Sequence, residues 1–166
     1  LAGIAVSLAA NPDDFDTWIE VGSIKHAFGD EIGARDAWEY AGAIRPQNTT
    51  SFFNLGNLYG YYLKDNAKAE KNFRMVLQND PNYIPGYLAL VAFYRDVYKE
   101  KYPVEAEKLL LAGEKALPLD LNITQSLAFL YKDIGNTVKA IVYFEKYLAI
   151  DPNNNAIRNE LESLRH

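Results

Sequence analysis

The chain has 166 residues, a length that suits one sizeable domain and leaves little room for a second. Apolar residues make up 49% and charged residues 23%, as in ordinary soluble globular proteins. The formal net charge of −5 argues against a nucleic-acid partner and against binding to anionic membranes, because both favour a basic surface. The absence of cysteine excludes disulfides and thiolate metal sites.

The chain starts with an apolar stretch, LAGIAVSLAANP, which has no initial Met. One interpretation is the tail of a secretory signal, with Ser7 and Ala9 near the cleavage point. The pattern favours a second helix of an incomplete repeat, because Pro12 is in register with later prolines. The localisation stays open, either cytoplasmic or periplasmic and anchored through a preceding part. No apolar run approaches the ~18–20 residues that span a bilayer, so we expect a soluble segment without membrane insertion.

Prolines divide the chain into segments of similar length. They are Pro12, Pro46, Pro81, Pro118 and Pro152, separated by 34, 35, 37 and 34 residues. Each segment has apolar residues at three- and four-residue steps in two blocks, the spacing that puts side chains on one face of a helix. The sequence therefore predicts four pairs of helices.

Large and small residues recur at matching positions in these pairs. In chain order the four sets are Trp18, Val21-Gly22, Lys25, Ala34 and Trp38; Phe52, Leu55-Gly56, Tyr59, Ala69 and Phe73; Tyr87, Leu90-Val91, Tyr94, Ala106 and Leu110; and Thr124, Leu127-Ala128, Tyr131, Ala140 and Phe144. Small residues allow two helices to approach closely, and the large residues fill the space beside them. Such a pair cannot bury its apolar face alone, so neighbouring pairs must stack.

The order W-x2-L-G-x2-Y, A-x3-F, P resembles the tetratricopeptide repeat of 34 residues. The resemblance covers 15–48, 49–83, 84–120 and 121–154, and it implies an all-α, right-handed solenoid of antiparallel helix pairs. We expect a single domain over 1–166, with a partial repeat helix at 1–14 and a C-terminal capping helix at 155–166. In the capping helix, Ile157, Leu161 and Leu164 form one apolar stripe.

Two repeats are longer than the others between their first and second helices. Ten residues separate Tyr59 from Ala69 and twelve separate Tyr94 from Ala106, against nine in repeats 1 and 4. In repeat 3 we expect the first helix to gain almost one turn over 96–100, with Pro103 opening the second helix.

The sequence offers no set of groups for catalysis. Its two histidines, His26 and His166, are isolated from each other and from any metal-binding motif, and no phosphate-binding glycine loop is present. We therefore expect neither an enzyme nor a need for a metal or other cofactor.

The resemblance implies a concave groove lined by the first helix of each repeat. Position by position, the expected peptide-binding residues are Ile19, Ser23, His26, Phe53, Asn57, Tyr61, Leu88, Ala92, Arg95, Gln125, Phe129 and Lys132. Four of them are large and apolar: Ile19, Phe53, Leu88 and Phe129. Such a line either binds a ligand or is partly buried between adjacent first helices, and both interpretations stay open.

A clamp of lysine and asparagine residues holds the C-terminal carboxylate of chaperone peptides in some members of this family. Asn54 and Asn57 stand at the asparagine positions. The basic positions carry Ile19, Pro85 and Ala89, so that clamp is not expected in this chain.

The sequence favours a non-catalytic protein–protein interaction module, a scaffold or adaptor that binds a peptide or partner segment in an apolar groove. Asn57 is suited to pair with a peptide backbone, because its amide both donates and accepts. The alternative is a structural scaffold that self-assembles through its repeat ends or its convex face. A third interpretation is a substrate-docking segment of a larger enzyme. Polar residues in the last helix argue against sticky ends: Arg158, Glu160, Glu162 and Arg165.

Overall fold

The structure is a computed structural model that describes residues 7–165. The regular structure within this range is helical. Residues 7–10 are helical, and they are followed by α1 (Phe15–Ala27), α2 (Glu31–Ile44), α3 (Thr50–Asn57), α4 (Asn66–Asn79), α5 (Ile84–Asp96), α6 (Val104–Ala116), α7 (Leu121–Asp133), α8 (Thr137–Ile150) and α9 (Asn155–Ser163). A π-helical turn, Leu58–Tyr62, extends α3, and a 3-10 turn, Lys99–Lys101, lies between α5 and α6.

The predicted all-α repeat fold is confirmed. Each of the four predicted repeats contains two helices, and the helices fall into two compact units, 1–80 and 81–166, with two repeats each. The single domain and its internal boundaries stay a prediction. Of the expected partial helix at 1–14, residues 7–10 are helical and 11–14 are not, and its first six residues lie outside the described range.

Glycine and a capping side chain define the turn inside repeats 1 and 4. Gly29 and Gly135 have φ values of 77° and 72°, a left-handed conformation that costs glycine little. The next residues, Asp30 and Asn136, accept the backbone N–H three positions later at 2.8 and 3.2 Å. These bonds satisfy N–H groups that the first turn of the second helix leaves unpaired.

Repeat 2 absorbs its extra residue as a π-helical turn. The N–H of Leu63 binds the carbonyl of Leu58 at 2.9 Å, five residues back. The N–H of Asp65 then reaches the carbonyl of Tyr59 at 2.9 Å, six residues back, whereas the equivalent bond in repeat 4 spans five residues. One inserted residue therefore widens the last turn of the first helix and leaves the second helix in register.

The additional helical turn predicted over 96–100 in repeat 3 is wrong. The helix α5 ends at Asp96, because the N–H groups of Val97 and Tyr98 both bind the carbonyl of Phe93 and close the last turn. The inserted residues instead form a loop that contains the 3-10 turn and a cis Tyr102–Pro103 bond. Pro103 immediately precedes α6, as predicted.

The predicted packing of large against small residues is present in unit 1. A Cβ atom added at Gly22 would lie 2.3 Å from the Trp38 side chain, and one added at Gly56 would lie 2.7 Å from Phe73. No real Cβ contact is so short, so both positions require glycine for the close approach of the two helices. In unit 2, Ala140 and Phe144 are both fully buried.

The last helix covers the end of unit 2. Helix α9 contacts α8 and buries Ile157 and Leu161, while its other residues are mostly exposed. Asn154 caps it by accepting the N–H of Ile157 at 3.2 Å. The stripe proposed from the sequence thus faces the repeat before it.

Candidate functional site

The twelve residues predicted to bind peptide, called the groove face below, lie on first helices. In unit 1, α1 carries Ile19, Ser23 and His26, and α3 with its π-helical turn carries Phe53, Asn57 and Tyr61. In unit 2, α5 carries Leu88, Ala92 and Arg95, and α7 carries Gln125, Phe129 and Lys132. Ser23 and Arg95 are exposed, and the other ten are half-buried.

His26 has a carboxylate and two aromatic side chains as partners within unit 1. Its Nδ1 lies 2.6 Å from Oε2 of Glu31, across the turn between α1 and α2. Its ring also meets the Tyr62 ring edge to face, with centroids 4.6 Å apart, and lies 5.9 Å from that of Trp38. One of its two ring nitrogens, Nδ1, therefore already has a partner inside unit 1. His166 lies outside the described residues.

Two polar groove-face side chains bind their own helices. The Asn57 amide donates to the carbonyl of Phe53 at 2.9 Å, and the Ser23 hydroxyl donates to that of Ile19 at 2.9 Å. Within residues 7–165 the Asn57 side-chain oxygen has no donor. It remains available as an acceptor.

The two groove-face phenylalanines pack against core rings of their own repeats. Phe53 meets Phe73 with centroids 6.2 Å apart and planes at 80°, and Phe129 meets Phe144 at 5.3 Å and 89°. Both contacts have the edge-to-face geometry that aromatic pairs prefer. These side chains are therefore ordered by the core while part of each ring stays accessible.

A pocket of about 210 Å³ lies within unit 2, where α5 contacts α7. Its lining comes from α5, α7 and the loop of repeat 3: Val91, Arg95, Tyr102, Gln125, Ser126, Phe129, Leu130 and Asp133. Three predicted groove-face residues, Arg95, Gln125 and Phe129, are thus brought together. Leu88, Ala92 and Lys132 do not line it.

The polar groups at this pocket form two pairs. Arg95 binds Asp96 through Nε at 2.7 Å and Nη2 at 3.1 Å, and this guanidinium holds the pKa of Asp96 below its usual range. The Tyr102 hydroxyl donates to Oδ2 of Asp133 at 3.0 Å. Burial, together with this bond, raises the pKa of Tyr102 to about 12. Lys132 pairs instead with Glu160 of α9.

Sequence reasoning missed Tyr102 as part of the site. The signal was available, because the extra residues between Tyr94 and Ala106 mark a departure from the repeat. Assigning these residues to a longer first helix concealed the role of Tyr102, because a continued helix would not bring its side chain back to α7.

A second pocket, of about 480 Å³, lies on another face of unit 1 and was not predicted. The apolar residues Phe52, Leu55 and Met75 line it together with Lys68 and Lys71. Lys68 also lies over the Tyr59 ring, with Nζ 5.0 Å from its centroid.

Neither a metal cluster nor a membrane span is found in the described part of the chain. No three His, Asp or Glu side chains there are grouped to hold a metal ion. None of its helices combines the length and apolar character needed to cross a bilayer.

Family models described as "Tetratricopeptide repeat" match two stretches, 50–83 and 124–154. The chain carries tetratricopeptide repeats. The matches fall on predicted repeats 2 and 4, so the resemblance drawn from the residue pattern is confirmed. Tetratricopeptide repeats in general form protein–protein interaction modules, and their fold is generally non-catalytic. A search of curated proteins gives no match.

Solved structures of similar fold include other tetratricopeptide repeat proteins. The C-terminal part of a repeat-containing protein from Cytophaga hutchinsonii superposes with a TM-score of 0.71 at 24% identity, covering 95% of this chain and 64% of that one. MamA superposes with a TM-score of 0.67 at 19% identity, covering 90% of this chain and 80% of that one. YrrB, described as a TPR protein with an unusual peptide-binding site, superposes with a TM-score of 0.66 at 14% identity. This match covers 97% of this chain and 81% of that one. At these identities the likeness concerns the fold.

Proposed function

We propose that the chain is a non-catalytic interaction module that binds a peptide segment of a protein partner on its groove face. The observation that carries the proposal is the pocket in unit 2, which joins Arg95, Gln125 and Phe129. A concave site with an apolar wall and a few convergent polar groups is the usual form of a binding site. The peptide-binding site named for YrrB adds support from a protein of similar fold.

The phenylalanines are suited to act as anchors. Phe129 is already held against Phe144, so a partner that covers its exposed part loses little side-chain freedom. Aromatic side chains in such positions commonly dominate the free energy of binding. Phe53 has the same relation to Phe73 in unit 1.

Asn57 supplies the polar complement in unit 1. One amide proton is used within α3, which leaves a second proton and the side-chain oxygen. A peptide unit presents one donor and one acceptor, so it matches these two groups. We propose that Asn57 fixes the backbone of the bound segment while Tyr61 closes one edge of the site.

The test uses dodecapeptides selected on the whole chain from a phage-displayed library, then measured by calorimetry. Phe53→Ala and Phe129→Ala are expected to weaken binding about tenfold or more each, because a lost aromatic anchor typically costs about 2 kcal/mol. Thermal melts must show that both variants remain folded.

Lys68→Ala and Lys71→Ala serve as controls, since both lysines lie at the pocket on another face of unit 1. We expect them to leave the affinity of the selected peptides nearly unchanged. If the lysine variants lose binding while the phenylalanine variants keep it, the proposed groove face is not the functional surface.

Self-assembly has an observation of its own in unit 2. Four aliphatic side chains on α6 and α8 are 39–75% exposed: Val104, Leu111, Val138 and Val142. Light scattering over a concentration series decides between the two functions. A constant monomer mass supports peptide binding, whereas a mass that rises with concentration and falls in Val138→Ser/Val142→Ser supports a scaffold.

A further inference from the structure

The loop of repeat 3 converts part of the groove face into a subsite of defined charge. We infer that the pocket between α5 and α7 binds a cationic side chain, lysine or arginine, of the partner segment, with Asp133 as its counter-ion. This inference rests on the proposed function, because it names the chemistry of one position in the bound peptide.

The pocket has an apolar wall next to a polar rim. Val91, Phe129 and Leu130 line the wall, whereas Arg95, Tyr102 and Asp133 supply charged and hydroxyl groups. A lysine or arginine side chain has the same two parts, since its methylene stem packs on apolar surface and its head carries the charge. A purely apolar side chain would cover the rim without binding the second carboxylate oxygen of Asp133.

The charges select a cation over an anion. Arg95 already faces the carboxylate of Asp96 in two hydrogen bonds, so its positive charge is matched within α5. Asp133 receives only a neutral hydroxyl, from Tyr102, and no other described residue donates to its carboxylate. Arg95 and Asp133 also attract each other, but Arg95 is one cation between two carboxylates, so the charge left for a ligand is a negative one.

Tyr102 connects the insertion to this selectivity. Its hydroxyl donates to Oδ2 of Asp133, which orients the carboxylate and leaves Oδ1 for the ligand. A repeat of the usual length lacks the residues that carry this tyrosine. The acidic balance of the whole chain, −5, also favours the approach of a basic segment.

The experiment titrates the whole 166-residue chain with two model compounds and follows backbone amide shifts by NMR. N-acetyl-arginine-methylamide carries the cation, and N-acetyl-citrulline-methylamide has nearly the same shape without the charge. We expect the arginine compound to shift the amides of Tyr102, Gln125 and Asp133 and to bind about fivefold tighter, as a partly exposed ion pair allows.

Two isosteric variants test whether Asp133 causes the preference for the arginine compound. Asp133→Asn should remove the difference between the arginine and citrulline compounds. Glu162→Gln, on the exposed side of α9, changes the net charge equally and should leave the difference intact. Loss of the preference in both variants would mean that overall charge, and not this pocket, attracts the arginine compound.

Three further results also overturn the inference. They are equal binding of the two compounds, absence of shifts at this pocket, and preference for N-acetyl-glutamate-methylamide that Arg95→Gln removes. None of these results depends on the selected dodecapeptides. Peptides that bind the groove face without a basic residue at this pocket would preserve the proposed function and exclude the cationic subsite.

Discussion

Lys64 holds a backbone conformation that the equivalent turns of repeats 1 and 4 give to glycine. Its φ is 59°, close to the values of Gly29 and Gly135. A side chain in this left-handed region crowds the following carbonyl, whereas glycine does not. The next residue, Asp65, still caps α4 by accepting the N–H of Lys68 at 3.0 Å, so the turn is retained at a conformational cost.

We therefore expect Lys64→Gly to stabilise the chain by about 0.5–1 kcal/mol. This figure is the backbone strain that the change releases minus the conformational entropy that glycine adds to the unfolded state. The midpoint of urea unfolding measures it. Gly135→Ala is the matched opposite change and should destabilise the chain by about 1 kcal/mol. A lower midpoint for Lys64→Gly would show that the hydrogen bond from its ammonium to the carbonyl of Tyr61 outweighs the strain.

Side-chain pairs set by spacing were predictable at this scale, and pairs set by turn geometry were not. The pairing of Gly22 with Trp38 follows from the positions of small and large residues on two facing helices. The bond between His26 and Glu31 crosses a turn, so it depends on how Gly29 and Asp30 direct the chain. No helical period encodes such a contact.

At the scale of elements, a tyrosine and a carboxylate join successive repeats. In unit 2 the Tyr131 hydroxyl on α7 donates to Glu107 on α6 at 2.7 Å, and Lys139 on α8 binds the same carboxylate at 3.0 Å. Unit 1 has the same bond between Tyr59 and Glu39, at 2.5 Å. The family position of the tyrosine thus connects the first helix of one repeat to the second helix of the repeat before.

This arrangement makes stability depend on pH. The hydrogen bond from Tyr131, followed by that from Lys139, holds the pKa of Glu107 below its ordinary value of 4.5. Because the folded pKa is the lower one, the stabilisation is present above about pH 4.5 and is lost as the pH falls through the folded pKa.

We expect Glu107→Gln to destabilise the chain by about 0.5–1 kcal/mol at pH 7, since the group is partly exposed, and to have less effect near pH 3. Urea unfolding at both pH values measures the difference. Glu162→Gln, for which no residue in the described range is such a partner, should show no comparable change between the two values. An equal loss for Glu107→Gln at pH 3 and pH 7 would contradict an ionic origin.

Insertions show how far a repeat pattern predicts the site. Their positions and lengths were readable, because the flanking tyrosine and alanine positions fix the register. Their conformations were not, since one residue became a π-helical turn in repeat 2 and the residues in repeat 3 became a loop. The conformation of each insertion depends on which backbone N–H groups bind the last carbonyl groups of the first helix. The pocket residue Tyr102 comes from such a segment.

At the scale of the whole molecule, helical repeats contact mainly their neighbours along the chain. Stability is then close to a sum of repeat terms and neighbour terms, and a terminal repeat needs a helix that covers its open face. Helix α9 has this position in unit 2, where it contacts α8 and buries Ile157 and Leu161. Damage to α9 should therefore act first on the last repeat.

Ile157→Ala is expected to destabilise the chain by about 2–5 kcal/mol, because the side chain is 2% exposed and its loss leaves a cavity against the last repeat. Hydrogen exchange should report lost protection in α8 and α9 while α1 and α2 keep theirs, as expected when opening begins at one end. Asn159→Ala, on the exposed side of α9, is the control and should leave exchange unchanged. Equal loss of protection in α1 would mean that both units unfold as one cooperative body. In that case α9 would stabilise the whole chain and not one end of a repeat array.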